Sequence, residues 1–136
     1  MTIREVMSTH VATVSKDDTV YRAASLMKDN NIGAVPVVNG SDVCGIITDR
    51  DIVIRCLAKD KNMTDCKISE IMTESTTTAS ADWTVNEALE IMAKHQVRRL
   101  PVCENGKLTG MVSIGDIARL RQTPELAKAL SEISLP

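Results

Sequence analysis

Two stretches of this 136-residue chain place a hydroxyl three residues ahead of an acid, each behind a glycine and two apolar residues: Gly45-Ile46-Ile47-Thr48-Asp49-Arg50-Asp51 and Gly110-Met111-Val112-Ser113-Ile114-Gly115-Asp116. A Ser or Thr followed at that distance by an acid can form a reciprocal cap at a helix start, each side chain accepting from the other residue's backbone N–H. Two adjacent arginines, Arg98-Arg99, precede Leu100-Pro101, where the first stretch has Gly33-Ala34; by themselves they read as a solvated strand edge. The four cysteines (Cys44, Cys56, Cys66, Cys103) show no Cys-x-x-Cys spacing, and only His10 and His95 could join them, so the sequence signals no metal set. Cys44 and Cys103 fall in apolar runs and read as buried thiols. His95 lies near a predicted helix end without a Ser or Cys partner, and neither a nucleophile–base set nor a Gly-x-x-x-x-Gly-Lys phosphate loop is present.

The elements that position these residues occur twice. At an offset of 65 residues, Met7 falls on Met72, Asp17 on Asp82, Thr19 on Thr84, Ala23 on Ala88, Met27 on Met92, Pro36 on Pro101, Gly45 on Gly110 and Asp51 on Asp116. Each copy opens with a short apolar turn (Ile3, Val6, Met7; Ile68, Ile71, Met72) and an extended segment (Val11 to Val14; Thr76 to Ala79). A helix follows, with Val20, Ala23, Ala24 and Met27, or Val85, Ala88, Leu89 and Met92, at the spacing of one buried face. Thr84 and Glu87 predict a capping box there, which Arg22 precludes in the first copy. Two apolar runs then flank Asn39-Gly40-Ser41-Asp42 or Glu104-Asn105-Gly106-Lys107, the pattern of a hairpin, and a second helix begins at Thr48 or Ser113. Its predicted buried face is Ile52, Val53, Cys56 and Leu57, or Ile117 and Leu120. Thr123-Pro124 starts a C-terminal helix with Leu126, Leu130 and Ile133 on one face, packing on the module or on a partner chain.

The unit order β-α-β-β-α, Val35-Pro36-Val37 or Leu100-Pro101-Val102 in the strand, and the Gly-x-x-Thr/Ser-x-x-Asp pattern together resemble the cystathionine-β-synthase-type (CBS) domain over essentially residues 1–121. The resemblance implies an α/β (α+β) fold. Two CBS units (1–58 and 67–121, linker 59–66) would pack as one pseudo-twofold tandem module, followed by a short helical tail at 122–136. One copy alone, at about 55 residues, would be marginal. The resemblance also implies an adenosine nucleotide (AMP, ADP or ATP) in the cleft between the units, its ribose and phosphate held by Thr48 and Asp51 in one site and by Ser113 and Asp116 in the other. A carboxylate can accept both hydroxyls of a ribose diol, and phosphate can meet the free N–H groups of the adjoining helix start. Basic residues of the family at the position of Arg98 and Arg99 imply phosphate contacts for that pair and make the second-copy site the better nucleotide site. Arg50 could serve the first site in the same way. Thr13 and Thr78, on the first strands, could reach the ligand across the copies, although plain strand surface suits them better.

A net charge of −2, a pI near 5.7, no Phe, and Tyr21 and Trp83 as the only aromatics disfavour a nucleic-acid binder. No apolar run reaches membrane-spanning length and the polar N-terminus lacks a signal-type apolar region, so the expectation is a cytoplasmic protein without a membrane partner. The reading is of a non-enzymatic energy sensor that signals ligand state to a regulated protein in trans, with a homodimer implied by the resemblance. A structural dimerisation module without ligand, and a binder of S-adenosylmethionine or NAD(H), stay open.

Overall fold

The computed structural model describes residues 1–74, 76–120 and 123–134, so the expected end of the second repeat at 121 and both ends of the expected tail lie outside the described residues. The chain forms two compact units: unit 1 is Met1–His10 with Thr77–Pro136, and unit 2 is Val11–Thr76. Each unit holds the hairpin and helices of one repeat together with the leading turn of the other. The reason is apolar burial. Ile3 and Val6 of α1 (Ile3–Val6) sit in a core with Ala88, Leu89, Met92, Leu100 and Val102, while Ile68 and Ile71 sit in a core with Val20, Ala23, Val35, Val37 and Ile47.

In unit 2, β1 (Val14–Ser15) pairs in parallel with β2 (Ala34–Asn39), and β2 pairs antiparallel with β3 (Asp42–Thr48), which also pairs with β4 (Thr73–Glu74). α2 (Val20–Asn30) starts at Thr19, whose hydroxyl accepts the Arg22 N–H, and ends at Asn31 in the left-handed region. Its buried residues are Val20, Ala23 and Met27, as the spacing predicts, with Ala24 half-buried. Unit 1 repeats the pattern with α4 (Val85–His95), β5 (Arg99–Glu104), β6 (Lys107–Ser113), α5 (Ile114–Leu120) and α6 (Pro124–Ile133). The Thr84–Glu87 capping box predicted for α4 is present.

Both hairpins close with two-residue turns, Gly40-Ser41 and Asn105-Gly106. Asn105 and Gly106 both have positive φ, the requirement of the turn type that matches strand twist, and Gly40 has φ +67°. Each hairpin then carries the same irregularity. The register shifts after Val37 and after Val102, and the extra residue, Cys44 or Thr109, turns its side chain back to donate to the carbonyl of Val37 (3.4 Å) or Val102 (3.2 Å).

Several expectations are corrected. The first strands are shorter than predicted: only Val14 and Ser15 pair in unit 2, and only Ala79, bridged to Val102, in unit 1. β-Branched composition reports fit to a pleated surface, not whether a neighbouring strand supplies partners. The helix after Thr48 is α-helical only as α3 (Asp49–Asp51) and continues as a π-turn over Ile52–Cys56. The wider turn keeps Ile52 and Cys56 in the core but leaves Val53 and Leu57 at 54% and 50% exposure. In unit 1 Ile114 and Ile117 are buried while Leu120 is 57% exposed. α6 begins as predicted, with the Thr123 hydroxyl accepting the Leu126 N–H and Pro124 in the first turn, and it packs on α4. It buries Leu126 and Ala129, not Leu130, which faces outward. The buried thiols are Cys56 and Cys66; Cys44 and Cys103 are only half-buried.

Candidate functional site

Two strand-to-helix junctions, one in each unit, hold the hydroxyl–acid pairs. In unit 2 the Thr48 N–H donates to Asp51 Oδ2 at 3.0 Å and the Asp51 N–H donates to Thr48 Oγ1 at 3.1 Å. In unit 1 the Ser113 N–H donates to Asp116 Oδ2 at 3.2 Å and the Asp116 N–H donates to Ser113 Oγ at 3.0 Å. Both are reciprocal caps, so one carboxylate oxygen in each junction is held in place by the chain itself.

The glycine that opens each motif is required by close packing. A Cβ on Gly45 would lie 2.7 Å from the Thr73 carbonyl oxygen and 3.1 Å from Met72 Sδ; a Cβ on Gly110 would lie 2.8 Å from the Ser8 carbonyl oxygen and 3.0 Å from Met7 Sδ. The segment after each leading turn thus presses against the strand that delivers the Ser or Thr. Only glycine leaves room for it.

The other carboxylate oxygen of each acid faces an arginine that the sequence reading missed. Asp51 Oδ1 lies 3.8 Å from Arg55 Nε, and Arg55 also donates to the carbonyls of Ile71 and Met72 at 3.3 and 3.4 Å. Asp116 Oδ1 accepts from Arg119 Nη2. The i,i+4 and i,i+3 spacings to a basic residue were readable as helix ion pairs. The two acids differ in access, with the Asp51 side chain 11% exposed and that of Asp116 25%.

Arg98 and Arg99 come to the unit 1 junction. Arg99 is directly opposite Ser113 in the β5–β6 ladder, and the Arg98 carbonyl accepts the Ile114 N–H at 2.9 Å. Arg98 is exposed and Arg99 half-buried. In unit 2 Ala34 stands opposite Thr48 and the Gly33 carbonyl accepts the Asp49 N–H at 2.9 Å, an identical backbone arrangement without the cations. Arg50 is exposed beside this junction, its N–H donating to Asp49 Oδ1 at 2.9 Å. Thr13 and Thr78 are half-buried, each immediately before the residue that pairs with the Pro-containing strand, Val14 and Ala79. Thr78 shares unit 1 with Ser113 and Asp116, and Thr13 shares unit 2 with Thr48 and Asp51.

Two surface clefts of unit 1, of about 410 and 500 Å³, include none of these polar residues. The first runs between α4 and α6 beside Leu89, Ala93 and Ala129, and the second lies beside Thr84, Ile117 and Pro124. They are seams where α6 meets the body of the unit, the first lined by Glu90, Lys94, Glu125, Lys128 and Glu132, with neither Ser/Thr–Asp pair in either. The hydroxyl–acid–arginine cluster is the stronger candidate on chemical grounds. Among the described residues no three His, Cys, Asp or Glu side chains gather as a metal site, and no helix is long and apolar enough to cross a membrane.

Comparison with known proteins agrees with this architecture. The CBS-domain family model matches residues 3–57 and 68–122. The chain is 45% identical over 135 residues to the protein YlbB of Bacillus subtilis, covering 97% of this chain and 90% of YlbB. Among solved structures, Hypoxic Response Protein I with two coordinated zinc ions superposes with a TM-score of 0.82 at 34% identity, covering 90% of this chain and all of that one. The CBS-domain pair of protein MJ0100, in complex with 5′-methylthioadenosine and S-adenosyl-L-methionine, superposes with a TM-score of 0.80 at 30% identity, covering 88% of this chain and 94% of that one. With both repeats matched and both junctions built alike, the chain belongs to the CBS-domain family and carries two CBS domains in tandem.

Proposed function

We propose that the chain is a non-enzymatic regulatory module that binds an adenosine nucleotide (AMP, ADP or ATP) and signals its ligand state to a partner protein. The observation that carries this reading is the unit 1 junction. There a capped Asp116 and the Ser113 hydroxyl share one strand-to-helix corner with the backbone of Arg98 and Arg99. Asp116 Oδ2 is fixed by a backbone N–H, leaving Oδ1 for a ribose diol in competition with Arg119. Charge-assisted hydrogen bonds of that kind contribute about 1.5–3 kcal/mol. Arg98 and Arg99 would take the phosphate, since an arginine meets phosphate through paired N–H donors. The complex of MJ0100 with two adenosyl compounds supports an adenosine-type ligand for this fold.

The non-enzymatic part of the reading rests on how the junction side chains are used. Their hydroxyls and carboxylates are engaged by backbone N–H groups and arginines, while His10 and His95 are exposed and outside both junctions. Signalling then comes from unequal affinity of the ligand for two arrangements of the module. Exposed Val53, Ile54 and Leu57 give unit 2 an apolar surface suited to a second copy of the chain or to the regulated partner.

A second reading, a structural module without ligand, is favoured by the completeness of both caps, in which each hydroxyl and one oxygen of each acid are already engaged by backbone N–H groups. A thermal-melting series with AMP, ADP, ATP, S-adenosylmethionine, NAD and NADH separates the two. A ligand at 100 times its Kd adds about 2.7 kcal/mol to the folded state, so a shift of several degrees with AMP, ADP or ATP is expected. A cooperative melt that none of them moves would overturn the nucleotide reading in favour of the structural one.

A further inference from the structure

The corner that carries Arg98 in unit 1 carries a carboxylate in unit 2. Asp49 and Ile114 are equivalent by sequence offset and by hydrogen bond, each donating its N–H to the carbonyl of position 33 or 98 at 2.9 Å. Ile114 turns into the core at 6% exposure, and Arg98 projects outward. Asp49 instead lies back over Gly33: its Oδ2 is 2.9 Å and its Cγ 3.3 Å from where a Cβ on that glycine would sit. Oδ1 accepts the Arg50 N–H at 2.9 Å, which fixes the carboxylate against the corner. The side chain thus fills the space that any residue larger than glycine would need at position 33. In charge terms the unit 1 junction has Arg98, Arg99 and Arg119 against Asp116, whereas unit 2 has Arg50 and Arg55 against Asp49 and Asp51, with Arg55 already engaged by Asp51 and two carbonyls.

We propose that Asp49 sets the ligand class of the unit 2 junction, disfavouring a 5′-phosphate and admitting adenosine compounds whose 5′ group is neutral or cationic, while the unit 1 junction takes the phosphorylated ones. The proposal rests on the reading that these junctions hold a ribose through Asp51 and Asp116. A carboxylate held beside a phosphate repels it, and because Asp49 is exposed the effect is screened to about three- to tenfold in affinity. Against a sulfonium or a thioether the same carboxylate is attractive or indifferent.

The test is calorimetric titration of adenosine, AMP and S-adenosylmethionine into the wild-type chain, into Asp116→Ala, which leaves only the unit 2 junction intact, and into Asp49→Asn/Asp116→Ala. If Asp116→Ala does not melt cooperatively, Asp116→Asn takes its place. The expected result is that Asp116→Ala binds adenosine and S-adenosylmethionine but AMP about tenfold more weakly, and that adding Asp49→Asn brings AMP back to within about threefold of adenosine. Asp49 is exposed and asparagine keeps an oxygen for the Arg50 N–H, so this substitution tests charge and not folding. Equal affinity for AMP and adenosine in Asp116→Ala, an unchanged ratio on adding Asp49→Asn, or no binding in Asp116→Ala while the wild type binds would each overturn the proposal. If the wild type binds none of the three, the ligand reading itself fails and the assignment of Asp49 falls with it.

Discussion

The junction of unit 1 and that of unit 2 share a frame and differ at the rim. Both have a reciprocal Ser/Thr–Asp cap, a glycine pressed by a carbonyl of the segment after a leading turn, and a hairpin whose bulged residue bonds back to the partner strand. At the rim, one has Gly33, Ala34, Asp49 and Arg55, whereas the other has Arg98, Arg99, Ile114 and Arg119. What is common is what the backbone needs in order to turn there. What differs is what a ligand would meet. The two repeats share the first and differ in the second, so the frame makes the corner while the rim sets the charge around it.

The largest effects should come from the shared frame, and they should be equal. Gly45→Ala and Gly110→Ala each put a methyl against a backbone oxygen that lies on another strand or turn, at 2.7 and 2.8 Å. Each should lose about 2–3 kcal/mol in urea unfolding. A loss at one glycine and none at the other would show that the two hairpins are not packed alike.

Removing the acids should split the junctions. Asp51 is the more buried of the two capping acids, so Asp51→Ala should cost about 2 kcal/mol of stability, against about 1 kcal/mol for Asp116→Ala. For nucleotide affinity the order should reverse. Asp116→Ala should weaken AMP about ten- to hundredfold, or about 1.4–2.8 kcal/mol, and Arg99→Ala should penalise AMP and ATP more than adenosine. Equal AMP losses from Asp51→Ala and Asp116→Ala would erase the distinction between the rims.

Much of this frame was legible because it is local or periodic. Thr84 with Glu87, Thr48 with Asp51 and Ser113 with Asp116 announce their caps within four residues, and Val85, Ala88, Leu89 and Met92 announce one helix face. Features depending on residues far apart in the chain were not legible. Nothing near Gly45 shows that Thr73 will press on it, and nothing near Ile3 shows that its core partners are Ala88 and Leu100. The exposure of Val53 and Leu57 escaped because apolar spacing was read with an α-helical period across a segment that winds as a π-turn. Asp49 escaped because a carboxylate in a helix's first turn is ordinary; its contact with Gly33 exists only in three dimensions.

A smaller effect, led by a thiol of unit 2, should appear at high pH. Burial, with Glu70 and Cys56 nearby, pushes the Cys66 thiol from the ordinary 9.0 up to about 11. A group whose folded pKa is raised contributes stability below its unfolded pKa and loses it as pH rises through the folded value. The Tm should therefore fall between pH 9 and about 11, and fall less in Cys66→Ala than in the wild type. Position 66 corresponds to Met1 in the other repeat, and the thiol that burial raises in unit 1, Cys103, is only half-buried. Parallel pH curves for the two proteins would show that thiol ionisation is not coupled to unfolding.

The smallest effect is a gain, and it tests whether the frames can be made identical. α2 and α4 start in the same setting: Thr19 is bridged to Lys67 as Thr84 is bridged to Thr2, and each threonine hydroxyl accepts the N–H of the third helical residue. Only α4 completes the box, with Glu87 accepting the Thr84 N–H, because α2 has Arg22 there. Arg22→Glu should let a carboxylate reach the Thr19 N–H and place a negative charge in the first turn, both favourable, for about 0.5 kcal/mol of added stability. Glu87→Arg should lose a similar amount, and urea unfolding reads both. If Arg22→Glu brings no gain while Glu87→Arg brings a loss, the two helix starts differ in more than the residue that completes the box.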